Sequence, residues 1–185
     1  MPTMQRDAAR FEIPAWAQVN ERRRGHILRV TELLAHWADA LKISADERAA
    51  WIDCGLFHDA LKDAPQDELR RLAGDTPFEP AMLHGPAVAG YLRQHGETRQ
   101  SVLDACRYHT SGYPNWDRTG RALYMADFLE PGRKFMQADR AFLAAHVPHD
   151  FDAIFRQVVR MRLEWSLREG KELFPQAVAL WNLVR

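Results

Sequence analysis

Apolar residues recur along this chain with the spacing of helices and hardly anywhere with the alternation of strands. From Glu21 to Leu41 they fall at Ile27, Val30, Leu33, Leu34, Trp37 and Leu41, one face of a helical period. The stretch Ser44 to Glu47, "SADE", has the form of a capping box, with a hydroxyl that bonds forward and a glutamate that reaches back. It predicts a helix running to about Lys62. Pro65 opens a short helix ending near Gly74. Pro80 begins a segment stopped by Gly96, with Pro86 in a first turn or at a bend. Thr98 is the expected cap of "RQSVLDACRYH". Thr110 to Asp117 is loop, because Gly112, Pro114 and Asn115 break regular structure. "TGRALYMADFLE" is a helix stopped by Pro131 and Gly132. Asp150 or Asp152 opens a long helix through "AIFRQVVRMRLEWSLRE", and a last one follows Pro175. Six to eight helices without a sheet predict an all-α helical bundle.

Several of these apolar faces carry titratable groups. His26 lies on the stripe of Val30, Leu33, Leu34 and Trp37. His58 shares a face with Trp51, Cys54 and Gly55, His84 with Val88, Tyr91 and Leu92, and His109 with Val102, Ala105 and Cys106. Asp127 stands among Leu123, Tyr124 and Phe128. Asp59 follows His58, about 100° further round a helix that continues through it. A single histidine on an apolar face is ordinarily a core residue with one hydrogen bond. An unpaired buried carboxylate is harder to dismiss, since its desolvation costs several kcal/mol, and the immediate neighbours Ala60, Leu61, Ala126 and Phe128 offer no donor. Shared metal ions account for all six together: four imidazoles and two carboxylates suit divalent first-row metals. Two such ions would leave positive charge for a phosphate group and could clamp the attacking and leaving oxygens of a displacement at phosphorus, with Asp59 as the bridge.

Composition narrows the setting. The chain has 185 residues, 46% of them hydrophobic, enough for one core, and Lys plus Arg balances Asp plus Glu at 25 each. Zero formal charge gives no global pull toward nucleic acid or an anionic membrane. The start, "MPTMQRDAARFEIPAW", lacks the apolar run of a signal peptide, and nothing approaches the roughly 18 apolar residues of a membrane span. Cys54 and Cys106 are too few for a disulfide framework and read as small core residues, with thiolate ligation the lesser alternative. A single cytoplasmic domain, 1–185, follows, with a metal-binding core at about 24–133 and C-terminal helices over 150–185.

The ordered set His26, His58-Asp59, His84, His109 and Asp127 resembles the HD superfamily of metal-dependent phosphohydrolases. "RRGHILRV", "GLFHDALKDAP", "LHGPAVAGYL", "RYHTSG", "LYMADFLEPGR" and "LFPQAVALWN" narrow the resemblance to the YqeK-type family, from about Arg24 to Asn182. That resemblance implies a di-iron enzyme cleaving diadenosine tetraphosphate symmetrically to two ADP, with manganese, cobalt, nickel or zinc also compatible with the ligands. It places one metal on His26, His58, Asp59 and Asp127 and the second on Asp59, His84 and His109. Lys62 and Arg133 become phosphate-side cations, and Thr110 and Gly112 the substrate-side loop. Asp63 is an available proton acceptor, or else a solvated carboxylate. Two departures fall near the loop: Trp116 where relatives carry Met, and Gly120 where a helix former is common.

Tyr113 and Trp116 are candidates for stacking an adenine, against plain packing. The run "ERRRGH", Glu21 to His26, reads as a solvated helix face, with guidance of a polyphosphate as the alternative. His36, His95, His146 and His149 read as surface or helix-end residues. The stripe Phe155, Val158, Val159, Leu163 and Trp165 is core, or the contact of a homodimer. Competing readings are an HD hydrolase for a deoxynucleoside monophosphate or a guanosine alarmone, a nucleotide sensor without turnover, and a helical interaction module. The last leaves Asp59 and Asp127 buried without partners.

Overall fold

The computed structural model describes residues 11–185; Met1 to Arg10, most of the stretch expected to lack a signal-peptide core, lies outside the described residues. Among the described residues the chain is all helix: α1 Glu21–Leu41, α2 Ala45–Phe57, α3 Gln66–Ala73, a 3-10 turn at Pro80–Met82, α4 His84–Gln94, α5 Gln100–Tyr108, α6 Arg118–Leu129, α7 Gln137–His146, α8 Phe151–Arg168 and α9 Pro175–Val184. No helix among them is long and apolar enough to cross a membrane.

Helix α6 is the axis of the bundle. Its side chains from Ala122 to Leu129 are buried without interruption, and α1, α2, α5, α7 and α8 pack around it. A helix apolar on every face must be enclosed on every face, which is why the polar Asp127 within it points at other protein groups rather than water. Helix α4 covers one flank of α5 with α3 packed on α4, and α9 packs on α8. Of the C-terminal stripe, Phe155, Val158 and Val159 are core, Leu163 is half-buried and Trp165 remains 43% exposed.

Most helix ends obey the local code. Asn20, Ser44, Asp117 and Asp150 each accept a backbone N–H of the first turn that follows. Ser44 bonds Glu47 N at 3.2 Å, while Glu47 is drawn to Arg118 instead of completing the box. Pro86 sits in the first turn of α4 as expected, where its missing N–H costs nothing. Arg99, not Thr98, precedes α5; it supplies no side-chain cap, and its guanidinium is held by Glu97 and Asp53.

Two elements differ from expectation. Helix α2 stops at Phe57 rather than running to Lys62, and residues 58–63 form successive turns. The cause is a partner remote in sequence: Gln18 N donates to Ala60 O at 2.7 Å and Asp63 N donates to Gln18 O at 3.1 Å, so the segment before α1 claims backbone groups that a continuing helix would use. Asp59 is therefore aimed by a turn, not by a helical face. Helix α7 appears where hydrophobic spacing predicts none, because one of the two positions it buries is Arg140. That guanidinium donates to the carbonyls of Phe128 and Glu130 and also reaches Phe135 O, pinning the turn after α6.

The two loop departures prove to be one feature. Trp116 is buried and donates Nε1 to Asp104 O at 3.1 Å, and its indole lies against the face of Gly120, where any Cβ would overlap the ring. Trp116 is thus core and closed to adenine. Tyr113 is half-buried, stacked on Tyr108 with centroids 4.2 Å apart. Gly120→Ala is expected to destabilise the protein by about 1–3 kcal/mol through overpacking. Adding Trp116→Met to the same chain should recover much of that loss in urea unfolding, whereas additive losses would show the two positions to be independent.

Candidate metal centre

Six buried groups gather where α1, the turn after α2, the start of α4, the end of α5 and the end of α6 meet. Their exposures are 6% for His26, 0% for His58, 3% for Asp59, 2% for His84 and His109, and 7% for Asp127. Helix ends explain the aim of two of the rings. His58 closes α2 and donates Nδ1 to Gly55 O at 2.8 Å; His109 closes α5 and donates Nδ1 to Cys106 O at 2.8 Å. A carbonyl can only accept, so in the neutral ring the proton sits on Nδ1 and the Nε2 lone pair faces the centre. At His84, α4 begins tight against α5: a Cβ on Gly85 would meet Cys106 O at 2.8 Å and Arg107 O at 2.9 Å, so only glycine lets the ring come so close to His109.

Asp59 divides its two oxygens between two groups of imidazoles. Oδ2 lies 3.7 Å from His26 Nε2 and 3.6 Å from His58 Nε2; Oδ1 lies 3.2 Å from His84 Nε2 and 3.4 Å from His109 Nε2. Within each group, His26–His58–Asp59 and Asp59–His84–His109, one ligand atom from each residue lies within 4.8 Å of the others. Asp127 Oδ1 joins the first group from α6, 3.1 Å from His26 Nε2. The donor set, four nitrogens and two carboxylates on two adjoining positions, fits two divalent ions with Asp59 as the shared ligand.

Electrostatics agree with the geometry at Asp59, Asp127, His58 and His84. Burial would push both carboxyls up, but the imidazoles of His58, His109 and His84 hold Asp59 well below the usual carboxylate range, and Arg133 and His26 do the same for Asp127. Burial lowers His58 to about 4 and also lowers His84, so both rings are neutral and ready to ligate. His26 goes the other way, to about 9: bonds to Asp127 and Glu130 outweigh its burial. Burial likewise lowers Lys62, against the pull of Asp59.

The site holds residues that the sequence patterns miss. Glu130 is 2% exposed and takes His26 Nδ1 at 3.1 Å, Arg29 Nε at 2.7 Å and Gly132 N at 2.7 Å. It fixes the His26 ring from behind, as carboxylates do for metal-binding histidines, and is held ionised at about 2 by His26 and Arg29 despite its burial. Its signal was its place one turn after Asp127, ahead of the helix-stopping Pro131-Gly132. Arg23 donates to Asp59 Oδ2 at 2.6 Å from inside the run read as a solvated face.

Of the other expected residues, three reach the centre. Lys62 Nζ is 3.3 Å from both ring nitrogens of His84, Thr110 Oγ1 is 3.4 Å from His84 Nε2, and Arg133 donates to Asp127 Oδ1 at 2.7 Å. Two turn elsewhere. Gly112 is a buried positive-φ turn (φ 82°) packed against Leu180 of α9, so its contribution is conformational. Asp63 is exposed, and its Oδ2 takes the backbone and side-chain N–H groups of Asn20 at 2.9 and 2.8 Å, which ties the turn to the start of α1 rather than to a reacting proton. Cys54 and Cys106 are free and fully buried. His36, His95 and His149 are exposed, and His146 is half-buried at the end of α7.

Residues 23–142 match the HD domain family, well over half of the chain, and the protein belongs to that family. Among its relatives is a protein of Bacillus subtilis (strain 168) named symmetrical bis(5'-nucleosyl)-tetraphosphatase. The two are 28% identical over 174 residues, covering 89% of this chain and 90% of the relative. A protein of the same name from Staphylococcus aureus is 29% identical and covers 88% of this chain and 86% of its own. A crystal structure from Clostridium acetobutylicum, described as a predicted HD superfamily hydrolase involved in NAD metabolism, shares the fold with a TM-score of 0.76 at 23% identity over 90% of each chain.

Two outcomes follow from these charges. Glu130→Gln, which keeps the shape and removes the charge behind His26, should weaken divalent-metal binding by about 10–100-fold in a competition titration. Folding raises the His26 pKa from 6.5 to about 9, so the stability from that proton is complete below pH 6.5 and lost as pH rises through 9. Folding lowers His58 from 6.5 to about 4, so its contribution is present above pH 6.5 and lost as pH falls through 4. Chelator-stripped protein should therefore be most stable in urea near pH 6.5, with the alkaline decline flattened in His26→Gln.

Proposed function

We propose that this protein is a metal-dependent phosphohydrolase that cleaves a dinucleoside polyphosphate symmetrically, taking diadenosine tetraphosphate to two ADP with two divalent ions, iron in the first instance. The observation that carries the reading is the division of Asp59 between two buried imidazole groups, with Asp127 beside the first. The names of the relatives, matched over nearly their full length, support the substrate.

When bound, the ions supply Lewis-acid stabilisation of charge at phosphorus and a lowered pKa for attacking water. The chain supplies the rest. His58 and His109 present preset lone pairs, so little reorganisation is needed to ligate. Glu130 keeps His26 oriented and accepts its Nδ1 proton bond. Lys62 and Arg133, lying against His84 and Asp127, would receive phosphoryl oxygens as charge builds on them. Thr110 Oγ1 offers a neutral donor beside His84. Residues 24–133 would then form the reacting core, and the helices over 150–185 a supporting layer, since α8 buries Phe155, Val158 and Val159.

The test is a substrate panel with product identification on iron- and manganese-loaded protein: diadenosine tetraphosphate, a deoxynucleoside monophosphate and a guanosine alarmone. ADP as the sole nucleotide product supports the reading; ATP plus AMP, or turnover confined to the other substrates, overturns it. Asp59→Asn, similar in size but without the shared charge, should lower kcat by about a thousandfold or more and reduce bound metal by elemental analysis.

A further inference from the structure

Among the described residues four cations touch the candidate ligands: Arg23 on Asp59, Arg133 and Arg162 on Asp127, and Lys62 on His84. Arg23 is the one that meets Asp59, the carboxylate shared by both imidazole groups. It stands one turn before His26 in α1, and its backbone N–H is capped by Asn20 Oδ1 at 3.0 Å. Asn20 is in turn bound to Asp63 in the turn that carries Asp59. The backbone of Arg23 is thus tied through Asn20 to the turn that carries Asp59. Its side chain is still 31% exposed, against 5% for Asp59, so the guanidinium borders solvent.

The atom it meets is decisive. NH1 lies 2.6 Å from Asp59 Oδ2, the oxygen that faces His26 and His58, and not from Oδ1, which faces His84 and His109. A divalent ion on the remaining lone pair of Oδ2 would set two positive centres across one oxygen, where they repel. An oxyanion that bridges both relieves that repulsion, and a planar guanidinium suits the two oxygens of a phosphoryl group. Arg133 makes the same arrangement at Asp127 Oδ1, 3.1 Å from His26 Nε2, and Arg162 lies 3.6 Å from Asp127 Oδ2, so guanidiniums meet both carboxylates of the first position.

We infer that Arg23 is a substrate-binding residue that opposes metal at the His26–His58–Asp59 position until a phosphate chain takes its guanidinium. The inference rests on the phosphohydrolase reading and gives Arg23 two effects of opposite sign. Removing it relieves the ion of a repelling neighbour and deprives the anion of a partner. A residue that merely orients Asp59 would weaken both.

The experiment compares wild type, Arg23→Ala and Arg23→Lys by calorimetry, with Mn²⁺ alone and then with inorganic pyrophosphate on the metal-loaded protein; thermal unfolding of each chain is measured alongside. In Arg23→Ala, Mn²⁺ should bind severalfold more tightly and pyrophosphate about tenfold or more weakly, the loss expected for a charged hydrogen bond. Arg23→Lys, which keeps the charge without the fork, should fall between. Weaker Mn²⁺ binding in both variants, or unchanged pyrophosphate affinity with metal intact, overturns the inference. Arg23→Lys alone decides if the alanine chain unfolds early. None of these readings depends on turnover, so a wild type that binds pyrophosphate but leaves diadenosine tetraphosphate whole would sink the proposed function and not this one.

Discussion

A carboxylate with almost no access to water, Asp59, sets the terms for the rest of the molecule. Burying such a charge alone would cost several kcal/mol, so the fold must bring positive or hydrogen-bonding partners to it from every side. It does so with four imidazoles from α1, the α2 end, α4 and α5, and with Arg23. Of the helices that deliver these groups, α1, α2 and α5 wrap α6 and α4 packs on α5, and the same packing places Asp127 of α6 next to His26. Core and site are therefore one arrangement. The apolar faces bring the helices together, and the polar residues on those faces are tolerated because they meet each other.

Orientation within the cluster is achieved locally. His58 and His109 sit just past their helices and turn back to carbonyls three residues earlier, groups left free at a helix end. His26, inside its helix, has no such carbonyl and needs Glu130 from another element. The first position consequently depends on long-range contacts, through Glu130, Arg29 and Arg140, more than the second does. Arg140, lowered to about 10 mainly by burial, spends its donors on backbone carbonyls that shape the turn carrying Glu130 and Arg133.

Much of this was legible in the sequence because its causes are local. Proline and glycine punctuation marked the ends of α3, α4, α6 and α9, and helical spacing put His26, His84, His109 and Asp127 on apolar faces. What escaped had causes elsewhere in the chain. The end of α2 is decided by Gln18, some forty positions earlier, and no pattern around Phe57 announces it. Helix α7 hides because one of its two inward positions is an arginine. Glu130 looks like an ordinary acid at a helix end, and three successive arginines give no hint that Arg23 is the one that turns inward. Trp116 and Gly120 look like two unrelated oddities until the ring is seen lying on the glycine.

The segment ahead of α1 holds the Asp59 turn largely through main-chain groups, Gln18 to Ala60 and Asp63. Such a grip is indifferent to most side chains yet sensitive to spacing. Residues around Gln18 can drift in identity, but gaining or losing a single one between Trp16 and Asn20 shifts which amide faces Ala60. The strap thus constrains the protein's evolution in length where it leaves composition comparatively free.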